Sequence, residues 1–142
     1  MRFMLIVKAS KDSEAGVMPS QELLDKMEKY NEELAQAGAM LAAEGLHPSS
    51  KGARVKFTGA SRTVTEGPFE NTKDLIAGFW LIEVSSKEEA IEWVKRCPNP
   101  SPGTEAEIEV RQVFELDDFG PELTPGMSDL EQRLRTELAG KK

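Results

Sequence analysis

Val64-Thr65-Glu66-Gly67-Pro68-Phe69-Glu70-Asn71-Thr72-Lys73-Asp74-Leu75-Ile76-Ala77-Gly78-Phe79-Trp80-Leu81-Ile82-Glu83-Val84 joins a polar turn to the most strand-like segment of the chain. Gly67-Pro68 punctuates the backbone, and Phe79 to Val84 gathers the aromatic and β-branched residues that suit a pleated, buried surface. A carboxylate (Glu66), a ring (Phe69) and an amine (Lys73) are thereby held on a loop anchored to a central strand. A reactive loop on a rigid scaffold is the usual build of a small site.

Working outward from this stretch, the other elements follow from spacing. Phe3 to Val7 is a continuous apolar run, the mark of a strand buried on both faces. Residues 9–19 carry turn formers and no apolar period, so they are expected to be loop. Leu23, Leu24, Met27, Tyr30 and Leu34 make one helical stripe, with Ser20 as N-cap and Gly38 as the stop. Met40 to Leu46 reads as a strand, since Gly38 has just ended a helix. Residues 54–58 and 62–65 alternate on either side of Gly59-Ala60-Ser61, which predicts a half-exposed hairpin. Residues 71–76 can form one helical turn before the strand at 78–84. Ser86 and Glu89 form a capping box opening a second helix, with Ala90, Ile91 and Val94 on its buried face. Glu107 to Leu116 shows the clearest two-residue period. A second capping box, Ser128 to Glu131, opens a short helix striped by Leu130, Leu134 and Leu138.

The order strand, helix, strand, hairpin, strand, helix, strand is the ferredoxin-like βαββαβ pattern with an insertion, an α+β class in which both helices lie on one face of an antiparallel sheet. Residues 1–116 would form this domain and residues 117–142 a C-terminal extension. One sheet face is left without a helical cover, and its apolar residues exceed what a monomer normally exposes. A homodimer closed by sheet-to-sheet packing is expected.

Composition narrows the function classes. A chain of 142 residues is one domain's worth and buries roughly two thirds of its unfolded surface. Lys and Arg number 18 against 25 Asp and Glu, a net charge of −7, which disfavours nucleic-acid partners. One cysteine cannot form an internal disulfide and fits a reducing, cytoplasmic setting. The apolar run at the N-terminus is too short for a signal peptide or a membrane span, so no membrane partner is expected. A lone histidine and scattered carboxylates give no metal-ligand spacing, and no glycine-rich phosphate loop or dinucleotide fingerprint is present; no metal or cofactor is expected.

The Glu66-Gly67-Pro68-Phe69 turn, Thr72-Lys73, the Ala43-Glu44-Gly45-Leu46 step, Gly78-Phe79-Trp80-Leu81-Ile82 and Glu89-Ala90-Ile91-Glu92-Trp93 leading to Cys97-Pro98 together resemble the YCII-related proteins, also called the DGPF group. The resemblance runs from the first strand to about Phe114. It implies a dimeric α+β barrel, and the expected function is small-molecule binding with cofactor-free acid/base chemistry of the lyase or elimination type reported among such relatives; the leucine-striped tail favours the alternative, a non-catalytic metabolite-sensing or regulatory/accessory module. Two departures stand out. The acidic residue of the turn is Glu66 where the family usually has Asp, and the early His-Asp pair proposed as the dyad of the smaller members has no counterpart.

The candidate site residues each carry two readings. His47 can act as a general base near neutrality or anchor a loop before Pro48. Glu66 can be a proton donor or acceptor if desolvated, or cap its turn. Lys73, Arg54 and Arg2 can clamp an anion or stand in solvent. Phe69 and Trp80 can stack on a substrate or pack within the protein. Cys97 has no histidine partner in its sequence context and is a poor nucleophile.

Overall fold

A computed structural model describes residues 1–70, 72–120 and 125–140. The elements are β1 (Arg2–Lys8), α1 (Lys11–Glu14), α2 (Gln21–Gln36), β2 (Met40–Gly45), β3 (Ala53–Thr58), β4 (Ser61–Glu66), β5 (Ile76–Glu83), α3 (Lys87–Lys95), β6 (Ile108–Gln112) and α4 (Pro125–Gly140), with 3-10 turns at Ser49–Lys51, Thr72–Asp74 and Leu116–Phe119. They fall into two compact units, Met1–Gln112 and Val113–Lys142.

In the first unit a four-stranded sheet runs in the order β2-β5-β1-β6, every neighbouring pair antiparallel. This is the ferredoxin-like order, with β3 and β4 inserted as a separate two-stranded ribbon. The register sorts the side chains. Phe3 lies opposite Ile82 and Gln112, Leu5 opposite Trp80 and Val110, and Val7 opposite Ile108. Phe3, Leu5, Trp80 and Ile82 form the core with Tyr30 and Leu34 of α2 and Ala90 and Trp93 of α3. Each such large side chain contributes about 1.5–3 kcal/mol on leaving water. Both helices therefore cover the same sheet face.

Alternation places Met4, Ile6, Phe79 and Leu81 on the other face, with Met4 opposite Leu81 and Ile6 opposite Phe79. They are half-buried, and none belongs to the core cluster. On β6 this face carries Glu109, held by Arg111 at 3.1 Å and Lys8 at 3.3 Å. Those two cations hold its carboxyl below the usual carboxylate range.

Local chemistry explains the ends. Ser20 caps α2 by accepting from the Leu23 amide, and α2 stops just before Gly38. Leu24 is 44% exposed, because it sits one residue round from the Leu23, Tyr30 and Leu34 face. α3 buries Ala90 and Trp93, leaving Ile91 and Val94 half-buried. Its Ser86 accepts from Glu89 N–H at 3.1 Å, but the Glu89 carboxylate turns to the Ser85 amide at 2.8 Å and hydroxyl at 2.6 Å, so the expected reciprocal box is shifted by one residue. Those Ser85 bonds lower the Glu89 pKa. Gly78 lets the edge strand approach: a Cβ there would stand 2.8 Å from the Glu44 carbonyl oxygen.

Four expectations are corrected. Residues 9–19 contain a helical turn, α1, closed by a reciprocal Ser10–Ser13 capping box. The central strand begins at Ile76, not 78. The last strand ends at Gln112, because β1 offers no ladder beyond the Phe3–Gln112 pair; Phe114 is 67% exposed and stacks on Phe119 at 5.0 Å. α4 starts at Pro125, ahead of the expected box; the Ser128 side chain and Asn71 lie outside the described residues. Among the described residues no helix is long and apolar enough to cross a membrane.

Candidate functional site

The Gly67-Pro68-Phe69 turn is fixed by the segment that precedes the ribbon. Gly67 N–H donates to the Gly52 carbonyl at 2.9 Å, closing the root of the ribbon, and Leu46 N–H donates to the Ala77 carbonyl at 2.8 Å. Phe69 N–H donates to Ser49 Oγ at 2.9 Å. Ser49 is gripped from behind by Glu14, whose Oε2 accepts the Ser49 amide at 2.9 Å while Oε1 accepts its hydroxyl in a short hydrogen bond. The chain is so close here that a Cβ on Gly67 would fall 1.7 Å from the Ser49 carbonyl oxygen.

α1 thus has a purpose: its one turn presents Glu14 to a serine 35 residues away. Neither Glu14 nor Ser49 stood out in the sequence, since the contact is long-range; only the Ser10–Ser13 spacing hinted that residues 10–14 are ordered. Ser49→Ala removes the links to both Glu14 and Phe69. We expect it to lower stability by about 1–3 kcal/mol, read as a lower urea midpoint, because the Glu14 carboxylate is left short of a donor. An unchanged midpoint would show that the turn does not depend on this latch.

The sequence-derived residues separate into two places. Glu66 ends β4 opposite Ala53, and His47 lies in the neighbouring segment two residues before Ser49. Both are exposed, and neither side chain makes a hydrogen bond or ion pair to another described residue, so the two are brought onto adjoining, hydrogen-bonded segments but not into contact. Arg54 places its guanidinium 3.9 Å from the centroid of the half-buried Phe69 ring, a cation–π contact beside the turn. Lys73 is exposed on the 3-10 turn Thr72–Asp74. Trp80 is elsewhere. It is 7% exposed, its indole N–H donates to Asn31 Oδ1 at 2.7 Å, and its ring meets Tyr30 edge-on at 5.5 Å. Its substrate-stacking role is corrected to a packing one, because the strand's alternation turns it toward the helices.

Tyr30 and Cys97 are the perturbed groups, and both belong to the interior. Burial raises the Tyr30 pKa, and its hydroxyl donates to the Trp93 carbonyl at 2.7 Å. Burial pushes the Cys97 thiol up to about 12. Reactivity follows the thiolate, so Cys97 in the native protein should be alkylated by iodoacetamide at pH 8 roughly 1000-fold more slowly than in urea, three pKa units being a thousandfold in thiolate. Native and denatured rates within tenfold of each other would contradict the buried placement.

A groove of about 350 Å³ lies between the start of α2 and residues 96–102. Its cations are already committed: Lys26 to Glu22 at 3.2 Å, and Arg96 to Glu33 at 3.1 Å and over the Trp93 ring at 4.2 Å. Among the described residues no three His, Cys, Asp or Glu side chains converge on a point where a metal ion could sit.

Comparison with known proteins agrees with this architecture. The model of the YCII-related domain matches residues 1–116. An uncharacterized protein of Rhizobium meliloti (strain 1021) is 31% identical over 104 residues, spanning 73% of this chain and 78% of that protein. With the antiparallel sheet, the two helices on one face and the latched Gly-Pro-Phe turn in place, the chain belongs to the YCII-related family.

Proposed function

We propose that this protein binds a small anionic or phenolic molecule between two copies of itself and performs acid/base chemistry of the lyase or elimination type on it. The observation that carries the reading is the latched turn: the Glu14–Ser49–Phe69 chain of hydrogen bonds fixes the backbone on which Glu66 stands, one residue before Gly67, next to the His47 segment. Side chains that do chemistry need such a rigid mount. A second copy packed on the Met4, Ile6, Phe79 and Leu81 face supplies the missing ingredient, exclusion of water. It would bring the turn against an apolar wall, where a proton-transferring group is shielded from bulk water. Glu66 and His47 are the proton-handling groups, Arg54 and Lys73 the anion clamps, and Phe69 the stacking surface.

The test is a thermal-shift screen of small organic acids and phenols on the wild-type chain and on Glu66→Gln. A compound that stabilises the wild type and not Glu66→Gln supports the site. Stabilisation equal in both removes Glu66 from it.

A second reading, a non-catalytic metabolite-sensing or accessory module, is favoured by one observation: Leu130, Leu134 and Leu138 stand 47%, 49% and 67% exposed along α4, a stripe suited to a partner's groove. A ligand that binds without being turned over, together with a partner lost on Leu134→Glu, would establish that reading instead.

A further inference from the structure

Arg62, Arg96 and Arg111 of the first unit each spend guanidinium N–H groups on protein acceptors: the Gly59 and Ser61 carbonyls, the Glu33 carboxylate and the Glu109 carboxylate. Arg54 does not. Its guanidinium carbon lies 3.9 Å from the Phe69 centroid, and none of its N–H groups meets an acceptor among the described residues. The ring beneath it is fixed: Phe69 is half-buried, and its amide donates to Ser49 Oγ, which Glu14 holds in turn. An arginine side chain loses rotamer freedom when it grips a ligand, and the stack on Phe69 has already taken up part of that loss.

The register supplies the surroundings. Arg54 pairs with Thr65 and Lys56 with Thr63, so these four side chains share one ribbon face with Thr58 and Ser61. That face carries two cations, four hydroxyls and no carboxylate, within a chain of net charge −7. Val55, Phe57, Arg62, Val64 and Glu66 alternate to the other face.

We infer that the Arg54 guanidinium, laid on the Phe69 ring, is a carboxylate subsite, with Thr65 directly across the ladder as its neighbouring hydroxyl. The inference rests on the anion-clamp role proposed above for Arg54 and deepens it by naming the anion. A guanidinium resting on a ring keeps its N–H groups at the rim in a single plane, a fork that matches the two coplanar oxygens of a carboxylate. A phosphate dianion can use the same fork, but a chain of net charge −7 resists each added negative charge, which favours the monoanion. A neutral phenol leaves the guanidinium's charge unanswered. Because Glu66 lies on the opposite face, Arg54 anchors the carboxylate and is separate from proton transfer at Glu66.

Benzoate, phenyl phosphate and phenol, which share a ring and differ in head group, are titrated into the full-length chain while the arginine Nε–H resonances are followed by nuclear magnetic resonance. The Arg54 resonance is the one that disappears in Arg54→Lys. Benzoate is expected to move it saturably and to bind more tightly than the other two. Arg54→Lys, which keeps the charge and loses the fork and the stack, should weaken benzoate at least about tenfold, the worth of one charge-assisted hydrogen bond. Phe69→Leu, which keeps apolar bulk and removes the ring face, should weaken it too. An Arg54 resonance that stays in place at saturating benzoate, a benzoate affinity unchanged in Arg54→Lys, or a preference for phenyl phosphate or phenol overturns the subsite. So does the absence of saturable benzoate binding. Glu66→Gln separates this outcome from that of the wider reading. Benzoate held through Arg54 equally in the wild type and in Glu66→Gln keeps the subsite and removes Glu66 from the site, whereas benzoate lost in Glu66→Gln and kept in Arg54→Lys does the reverse.

Discussion

Gly67→Ala is expected to destabilise the protein by about 3 kcal/mol, the upper end of what overpacking costs when the neighbour cannot rotate away. The added methyl would stand 1.7 Å from the Ser49 carbonyl oxygen, 2.7 Å from the Ser49 carbonyl carbon and 3.3 Å from the Gly52 oxygen, all backbone atoms. Relief requires the turns at residues 49–52 and 67–69 to separate. That sacrifices the Gly67–Gly52 and Phe69–Ser49 hydrogen bonds, both 2.9 Å, each contributing about 1 kcal/mol. The melting temperature should fall by about 10 °C, at a few degrees per kcal/mol for a chain of this size. Gly52→Ala is the matched control: its methyl would find the Ser49 oxygen at 3.5 Å, an ordinary contact. Equal melting temperatures for the two variants would show that the close approach at Gly67 is not what holds the turn. In the two-copy reading Gly67→Ala also abolishes ligand-induced stabilisation, since Glu66 loses its mount.

The second large effect is expected at the sheet face turned away from α2 and α3. Leu81 lies at its centre, opposite Met4 of β1 and Ala42 of β2, and is half-buried in one chain. Leu81→Glu leaves the helix-facing core untouched, so the far-ultraviolet spectrum of the isolated chain should not change. In a dimer closed over this face the carboxylate would be buried without a partner. Residues at the centre of an interface cost 2 kcal/mol or more when lost, about thirtyfold in the dissociation constant, and an unpaired charge raises that further. A folded Leu81→Glu chain with the wild-type dissociation constant would place any interface elsewhere. A misfolded one is distinguished by its spectrum, and Met4→Glu, on the neighbouring strand of the same face, then makes the same comparison.

The elements were legible in the sequence where one periodicity dominates. The Leu23, Tyr30 and Leu34 spacing fixed α2, and the alternation about Gly59-Ala60 fixed the ribbon, because each depends on neighbours within a turn or a strand pair. Endings were less legible where they depend on a distant partner. The alternation of residues 107–116 continues past Gln112, but the strand does not: its ladder with β1 ends at the Phe3–Gln112 pair. Phe79-Trp80-Leu81-Ile82 is apolar on both faces, so no local pattern told which side the helices take; the register with β1 decides that Trp80 and Ile82 face inward. The candidate site was legible in its loop and not in its support. Gly-Pro-Phe announces a turn, whereas the Glu14–Ser49 pair that fastens it joins a four-residue helix to a 3-10 turn. Nothing local in residues 9–19 signals that contact.

The proposed proton-handling and anion-binding roles require that the sheet face turned away from α2 and α3 be closed by a second copy. Sedimentation equilibrium of the wild-type chain at micromolar concentration measures this directly. The account requires a species of twice the 15.7 kDa chain mass; a single 15.7 kDa species across the whole concentration range would contradict it.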